Sequence, residues 1–481
     1  MYISVNEVRN SRLAQFAYVL KNFAFISAAS VLIAYIVLFF SGKEEGVIVL
    51  LPFAYLISYV ILNSSRRNNS IIVTRVLLDI FLWIRLVLLP LLDLQEHSYH
   101  SLFANGNPDT MFTSICLCVY ECIAISVAYA FLSRILVSSN TEIYTDKELM
   151  GAKKIYLVYI LFALIVFLLI GRHLHLYDFV FKSIGNEIRK DETTDSMTLL
   201  IRQIISGGIL FAFFYLTSEL NNKHRIGTTS KYLNINILLA LLMVCLIVGE
   251  RRTSQVYIAF ASCWLLGNVY VVERKKIYTY IGLCAIVVLV LMTIYKHFYA
   301  FLYDSYYEAI IHSQNSNVIS VTAIDSYFYG IATIAKNINY ASFSNLGVDG
   351  FAYDIMRNTF GLNFITPRSM LTTSEAYNSF LYNGIQTHGY LLSSVGYSYI
   401  YFGFILSPIL TIVNLCVATF LERKMRFSKS MEMTYIWAYL YMRVCFGILG
   451  SFPPLLNLCS RYLILNGSIY FIAKYFNRKA S

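Results

Sequence analysis

Apolar runs of about 17–25 residues recur along the whole chain, separated by short polar connections, and each is long enough to cross roughly 30 Å of hydrocarbon. They predict spans near 20–40, 46–62, 71–92, 111–132, 155–171, 199–218, 232–249, 254–272, 277–295, 389–420, 432–450 and 455–473. Inside lipid such runs are helical, because each segment must satisfy its own backbone polar groups. The expected fold is therefore an all-α integral membrane protein with about 12 transmembrane helices. Residues 1–295 hold helices 1–9, residues 296–388 form a long loop before helix 10, and residues 389–481 hold helices 10–12. In the long loop, weak helical periodicity over 303–312 and 319–338 predicts short helices.

Composition agrees with this pattern. Of 481 residues 58% are hydrophobic and 14% charged, against about 45–50% and 25% in ordinary soluble domains. Lysine and arginine set the orientation: basic clusters such as Arg66-Arg67, Lys153-Lys154, Arg274-Lys275-Lys276 and Arg423-Lys424-Met425-Arg426 fall in alternate short connections. The positive-inside rule then predicts both termini in the cytoplasm, with the long loop extracytoplasmic. The same bias accounts for the net charge of +11, so nucleic acid is not an expected partner. The first span follows a basic stretch without a small-residue cleavage site and reads as a retained helix. All nine cysteines lie in apolar runs. They read as small core residues, with no spacing that suggests zinc, and no metal or cofactor is expected.

Three sets of residues could carry chemistry. Spans seven and eight are joined by Gly249-Glu250-Arg251-Arg252-Thr253-Ser254-Gln255, which puts two guanidiniums at a helix N-terminus. Guanidinium forks match phosphate oxygens and helix N-termini attract anions, so a diphosphate suits this bend; snorkelling to lipid phosphates is the competing reading. Ionisable residues inside spans form the second set: Arg75, Asp79, Arg85, Glu121, Arg202, Arg443 and Arg461. Each is costly if it faces lipid alone. Arg75 and Asp79, four apart, are expected to pair structurally, whereas Arg85, Arg202, Arg443 and Arg461 in outer half-spans point to an anionic ligand. Arg357 and Arg368 of the long loop join that substrate-binding set. The third set closes the long loop, where Glu375 and His388 are the candidate proton acceptors; histidine is suited to acid–base work near neutral pH. The 39 tyrosines could stack on sugar rings, although interfacial belts use tyrosine as well.

Two stretches carry a resemblance to a known family. "IVGERRTSQVYIAF" (247–260) and "HGYLLSSVGYSYIYFGFI" (388–405) resemble motifs of the bacterial lipid-linked oligosaccharide polymerases, the Wzy class that builds O-antigen and capsule, and more distantly the O-antigen ligases. The second stretch matches at Ser393, Gly396, Tyr399, Phe402 and Gly403. It departs at Tyr397, where the family usually has glutamate, and at Gly389, where a ligase has asparagine after the histidine. The resemblance implies a metal-independent, inverting glycosyltransferase of the bacterial cytoplasmic membrane. It further implies undecaprenyl diphosphate-linked glycans as donor and acceptor, and membrane lipids and a chain-length regulator as partners. A polysaccharide flippase or other secondary transporter is the rival expectation, and a ligase the third.

Overall fold

The computed structural model describes the chain except residues 1–4, 41–43, 65–70, 97–107, 137–146, 172–176, 180–195, 228–229, 249–251, 298–320, 345, 386, 388 and 481. It is almost entirely helical. Among the described residues, six helices are long and apolar enough to cross a membrane: Asn22–Phe40, Gly46–Ser64, Asp109–Ile135, Lys153–Ile170, Leu200–Arg225 and Phe452–Lys479. Large apolar side chains on their surfaces, such as Phe40, Phe131 and Leu169, are exposed, the pattern of helices whose outer face meets lipid rather than water.

In chain order the helices are α1 (Val5–Phe40), α2 (Leu50–Ser64), α3 (Ile72–Trp83), α4 (Leu89–Glu96), α5 (Pro108–Ile135), α6 (Lys153–Val166), α7 (Ser196–Gly227), α8 (Ser230–Cys245) and α9 (Arg252–Val269). After α10 (Arg274–His297) come α11 (Val321–Phe328), α12 (Ile331–Phe343), α13 (Val348–Asn358), α14 (Thr373–Leu381), α15 (Ser394–Phe402), α16 (Ile409–Phe427), α17 (Met431–Phe446) and α18 (Phe452–Ala480). A π-helical turn, Ile84–Leu88, joins α3 to α4. After α8, β2 (Leu246–Val248) pairs antiparallel with β1 (Tyr177–Phe179).

The contacts divide the chain into two units. Unit 1 comprises Met1–Ser138, Ile319–Thr419 and Cys445–Pro454; unit 2 comprises Ser139–Val318, Phe420–Val444 and Leu455–Ser481. The core of unit 1 runs through α1–α5, α11 and α12, around Tyr35, Tyr55, Leu82, Leu86, Cys122 and Ile334. In unit 2 the Tyr156 and Phe211 rings stack at 4.9 Å, joining α6 to α7. The buried Glu432 at the start of α17 accepts from Met150 N, Gly151 N, the Tyr156 hydroxyl and the Ser430 hydroxyl. Four neutral donors and a helix N-terminus thus hold a carboxylate that has no ion-pair partner among the described residues.

The expected span 389–420 is not one helix. It is two, α15 and α16, separated at 403–408. Gly403 has φ +69°, a left-handed conformation that ends α15 and costs glycine nothing, and Pro408 lies just before α16. Ser393 caps α15 by accepting from Gly396 N at 3.0 Å, and it donates to Asn337 Oδ1 at 2.7 Å. A Cβ on Gly396 would stand 2.3 Å from that same Asn337 oxygen. Three residues of the family-like stretch, Ser393, Gly396 and Gly403, are therefore helix-boundary devices in this fold. Arg75 and Asp79 interact electrostatically but through no direct ion pair among the described residues: Arg75 donates to Asn63 Oδ1 at 3.1 Å, and Asp79 accepts from the Tyr55 hydroxyl at 3.1 Å. Better-placed partners on α2 win over the neighbour one turn away. Span 232–249 becomes extended from Leu246, where pairing with β1 replaces helix.

Candidate functional site

In unit 2, α9 starts at Arg252. Arg251 and the side chain of Arg252 lie outside the described residues. The start of the helix is tied down by the buried Gln255, whose Nε2 donates to Leu246 O at 3.3 Å. Five residues beyond Arg252, Tyr257 turns its ring under the Arg443 guanidinium, 5.6 Å from the ring centroid. Arg443 Nη1 also donates to the Tyr439 hydroxyl at 3.2 Å, and the Tyr439 ring stacks on Tyr462 at 4.1 Å and 17°. Arg443 is half-buried and has no carboxylate partner among the described residues. Five residues of helix span about 7.5 Å, so a cation resting on Tyr257 stands within two turns of the arginine bend. Arg461 is adjacent to Tyr462 on α18 and Arg202 lies on α7, both half-buried.

The arginine in unit 1 behaves differently. Arg85, carried on the π-helical turn, is wholly buried, and its Nη1 donates to Glu121 Oε2 at 2.6 Å. The Thr411 hydroxyl donates to the other oxygen of Glu121. This side chain reaches no surface, and its Nε and Nη2 have no hydrogen-bond partner among the described residues. Arg357 is also occupied, its Nη1 donating to Asn363 O at 3.0 Å, and Arg368 is exposed.

Of the two expected proton acceptors, His388 lies outside the described residues. Glu375 is the third residue of α14, and its Oε2 accepts from both Thr372 N and the Thr372 hydroxyl at 2.8 Å, closing a capping box. The sequence Thr-Thr-Ser-Glu is a helix-start signal before it is a catalytic one.

A carboxylate not singled out from the sequence lies close by. Asp354 of α13 is buried, its Oδ1 accepting from Thr373 N at 3.0 Å and its Oδ2 from the Tyr397 hydroxyl at 2.8 Å. Burial pushes its carboxyl above the usual carboxylate range, against the pull of those hydrogen bonds. Asp354 lines a small cleft with Asn358, Thr372, Ser374, Tyr397 and Ser451; Glu375 does not line it. At Tyr397, where the resemblance lacks its glutamate, the fold thus brings in a carboxylate from another helix. The signal was present: Phe351, Asp354, Ile355 and Asn358 follow i, i+3, i+4, i+7 spacing, so Asp354 sits on the inward stripe of its helix.

No protein family, curated protein or solved structure matches the chain. The functional reading therefore rests on these residues.

Proposed function

We propose that this protein is a polysaccharide polymerase that joins undecaprenyl diphosphate-linked oligosaccharide repeats at the outer face of the bacterial cytoplasmic membrane. In this reading the chain has about twelve spans with both termini inside, counted from its apolar runs. The observation that carries the proposal is Arg443 seated on Tyr257 of the helix that Arg252 opens. The position supplies cationic charge near a helix N-terminus, which suits the diphosphate of a glycosyl donor.

The reaction is an inverting displacement. An acceptor hydroxyl oxygen bonds to the anomeric carbon as the bond to the diphosphate oxygen breaks, and the bonding pair stays on the diphosphate. Arg251, Arg252 and Arg443 stabilise that developing charge, the largest single help available to such a step. The hydroxyl proton passes to a general base as the new bond forms.

The interrupted span at 403–408 favours a second reading, a secondary transporter, since transporters build substrate sites at broken helices. Deleting the gene separates the two. A polymerase leaves single-repeat lipid-linked glycan displayed outside without a ladder. Repeats trapped in the inner leaflet would establish a transporter, and full-length polymer left on its lipid would establish a ligase.

A further inference from the structure

The cleft of unit 1 beside Asp354 has a volume of about 20 Å³, and Leu392, Pro453 and Pro454 complete the wall that the polar residues line. A water-sized particle needs roughly 10–15 Å³, so the space admits a single one. Its polar wall is rich in acceptors. The Thr372 hydroxyl donates to Glu375 Oε2 and the Tyr397 hydroxyl to Asp354 Oδ2, each at 2.8 Å, so both spend their proton and keep lone pairs. Amide donors are spent as well: Asn358 Nδ2 donates to Asp354 O, Thr372 N to Glu375 Oε2 and Ser451 N to Leu392 O. The two prolines bring no N–H. Ser451 is 8% exposed, and its hydroxyl has no hydrogen-bond partner among the described residues.

Charge in this corner has one sign. Asp354 is 1% exposed and feels Glu375 as a like charge, yet neither carboxylate has an ion pair among the described residues. A buried anion without a counter-charge is costly. We infer that the cleft is a binding site for one dehydrated alkali-metal cation, sodium or potassium, held by the Asp354 carboxylate and the oxygens of Asn358, Thr372, Ser374, Tyr397 and Ser451. Each Asp354 oxygen accepts one hydrogen bond, from Thr373 N or the Tyr397 hydroxyl, and keeps a lone pair for the ion. Divalent ions fit less well: magnesium keeps several waters, for which there is no room, and calcium takes 6–8 oxygens, commonly from more than one carboxylate. One lining carboxylate among neutral oxygens matches a single positive charge. Without the cation, ionised Asp354 bears its desolvation cost alone, and the cation offsets that cost. The site stands whatever reaction the protein performs.

The test uses purified full-length protein in lipid nanodiscs at mildly alkaline pH, in sodium, potassium or choline chloride at equal ionic strength. An alkali cation should raise the unfolding temperature by several degrees over choline, and the rise should saturate. Radioactive sodium, or rubidium standing in for potassium, should bind at one ion per chain and be displaced by unlabelled alkali cation but not by choline. Asp354→Asn should abolish both effects. Ser451→Ala, which removes one neutral ligand, should weaken ion binding several-fold and carries the test if the first variant does not fold. Equal unfolding temperatures in all three salts without ion binding would leave the cleft to water or to a protonated Asp354. Binding undiminished in either folded variant would put the ion elsewhere. Either result overturns the inference.

Discussion

Arg85 and Arg443 are the same residue type, each carried by an apolar helical stretch, and the two units treat them in opposite ways. In unit 1 the Arg85 guanidinium is sealed against Glu121, which also receives the Thr411 hydroxyl, so the charge is neutralised inside the core. In unit 2 Arg443 is only half-buried and leans on the ring of Tyr257 and the hydroxyl of Tyr439. Unit 2 buries Glu432 among neutral donors and Glu422 against Arg426, so it too can seal an arginine with a carboxylate. An arginine in an apolar run is therefore not a functional signal by itself. What separates the two, among the described residues, is whether a carboxylate of the protein occupies the guanidinium.

The largest effect should come from breaking the sealed pair. Arg85→Ala leaves Glu121 buried and unpaired and should cost about 3–5 kcal/mol of stability, while replacing both residues with apolar ones of similar size should recover most of the loss. Thermal unfolding of the purified variants reads this, and a double variant as unstable as Arg85→Ala would show that the pair is not the unit of stability. Arg443→Ala should do the opposite, leaving the unfolding temperature nearly unchanged while slowing polymerisation of defined lipid-linked repeats about 10²–10³-fold. Lysine at 443 should restore only part of the rate, because it lacks the planar fork; a loss of stability equal to that of Arg85→Ala would erase the distinction.

The smallest effect concerns Asp354, a buried carboxylate held by neutral donors where Glu121 has an arginine. Its pKa is raised on folding, so the stability it contributes is fully present below the unfolded value of 3.8 and is lost as pH rises through the folded value. Thermal unfolding followed across pH checks the sign. Asp354→Asn should remove the slope, and an unchanged slope in that variant would show that Asp354 is not its source.

The helices were legible in the sequence because hydropathy is a sum over neighbours in the chain: a run such as Ser196–Gly227 or Pro108–Ile135 must be helical in lipid whatever lies beside it. The helix start at Arg252 was legible for the same local reason, since polar residues interrupt the apolar pattern there. The capping role of Glu375 was written in Thr372 three residues earlier, and the end of α15 in Gly403 and the nearby Pro408, although the unbroken apolar run from 389 to 420 concealed the interruption. Only the tertiary structure decided which charges were free. Arg75 turned to Asn63, Asp79 to Tyr55, Arg85 to Glu121 and Asp354 to Tyr397, contacts between residues 12 to 43 positions apart. Local pattern shows that a charge is present and what isolation would cost it. Which partner relieves that cost depends on packing between helices, and no short window of sequence contains it.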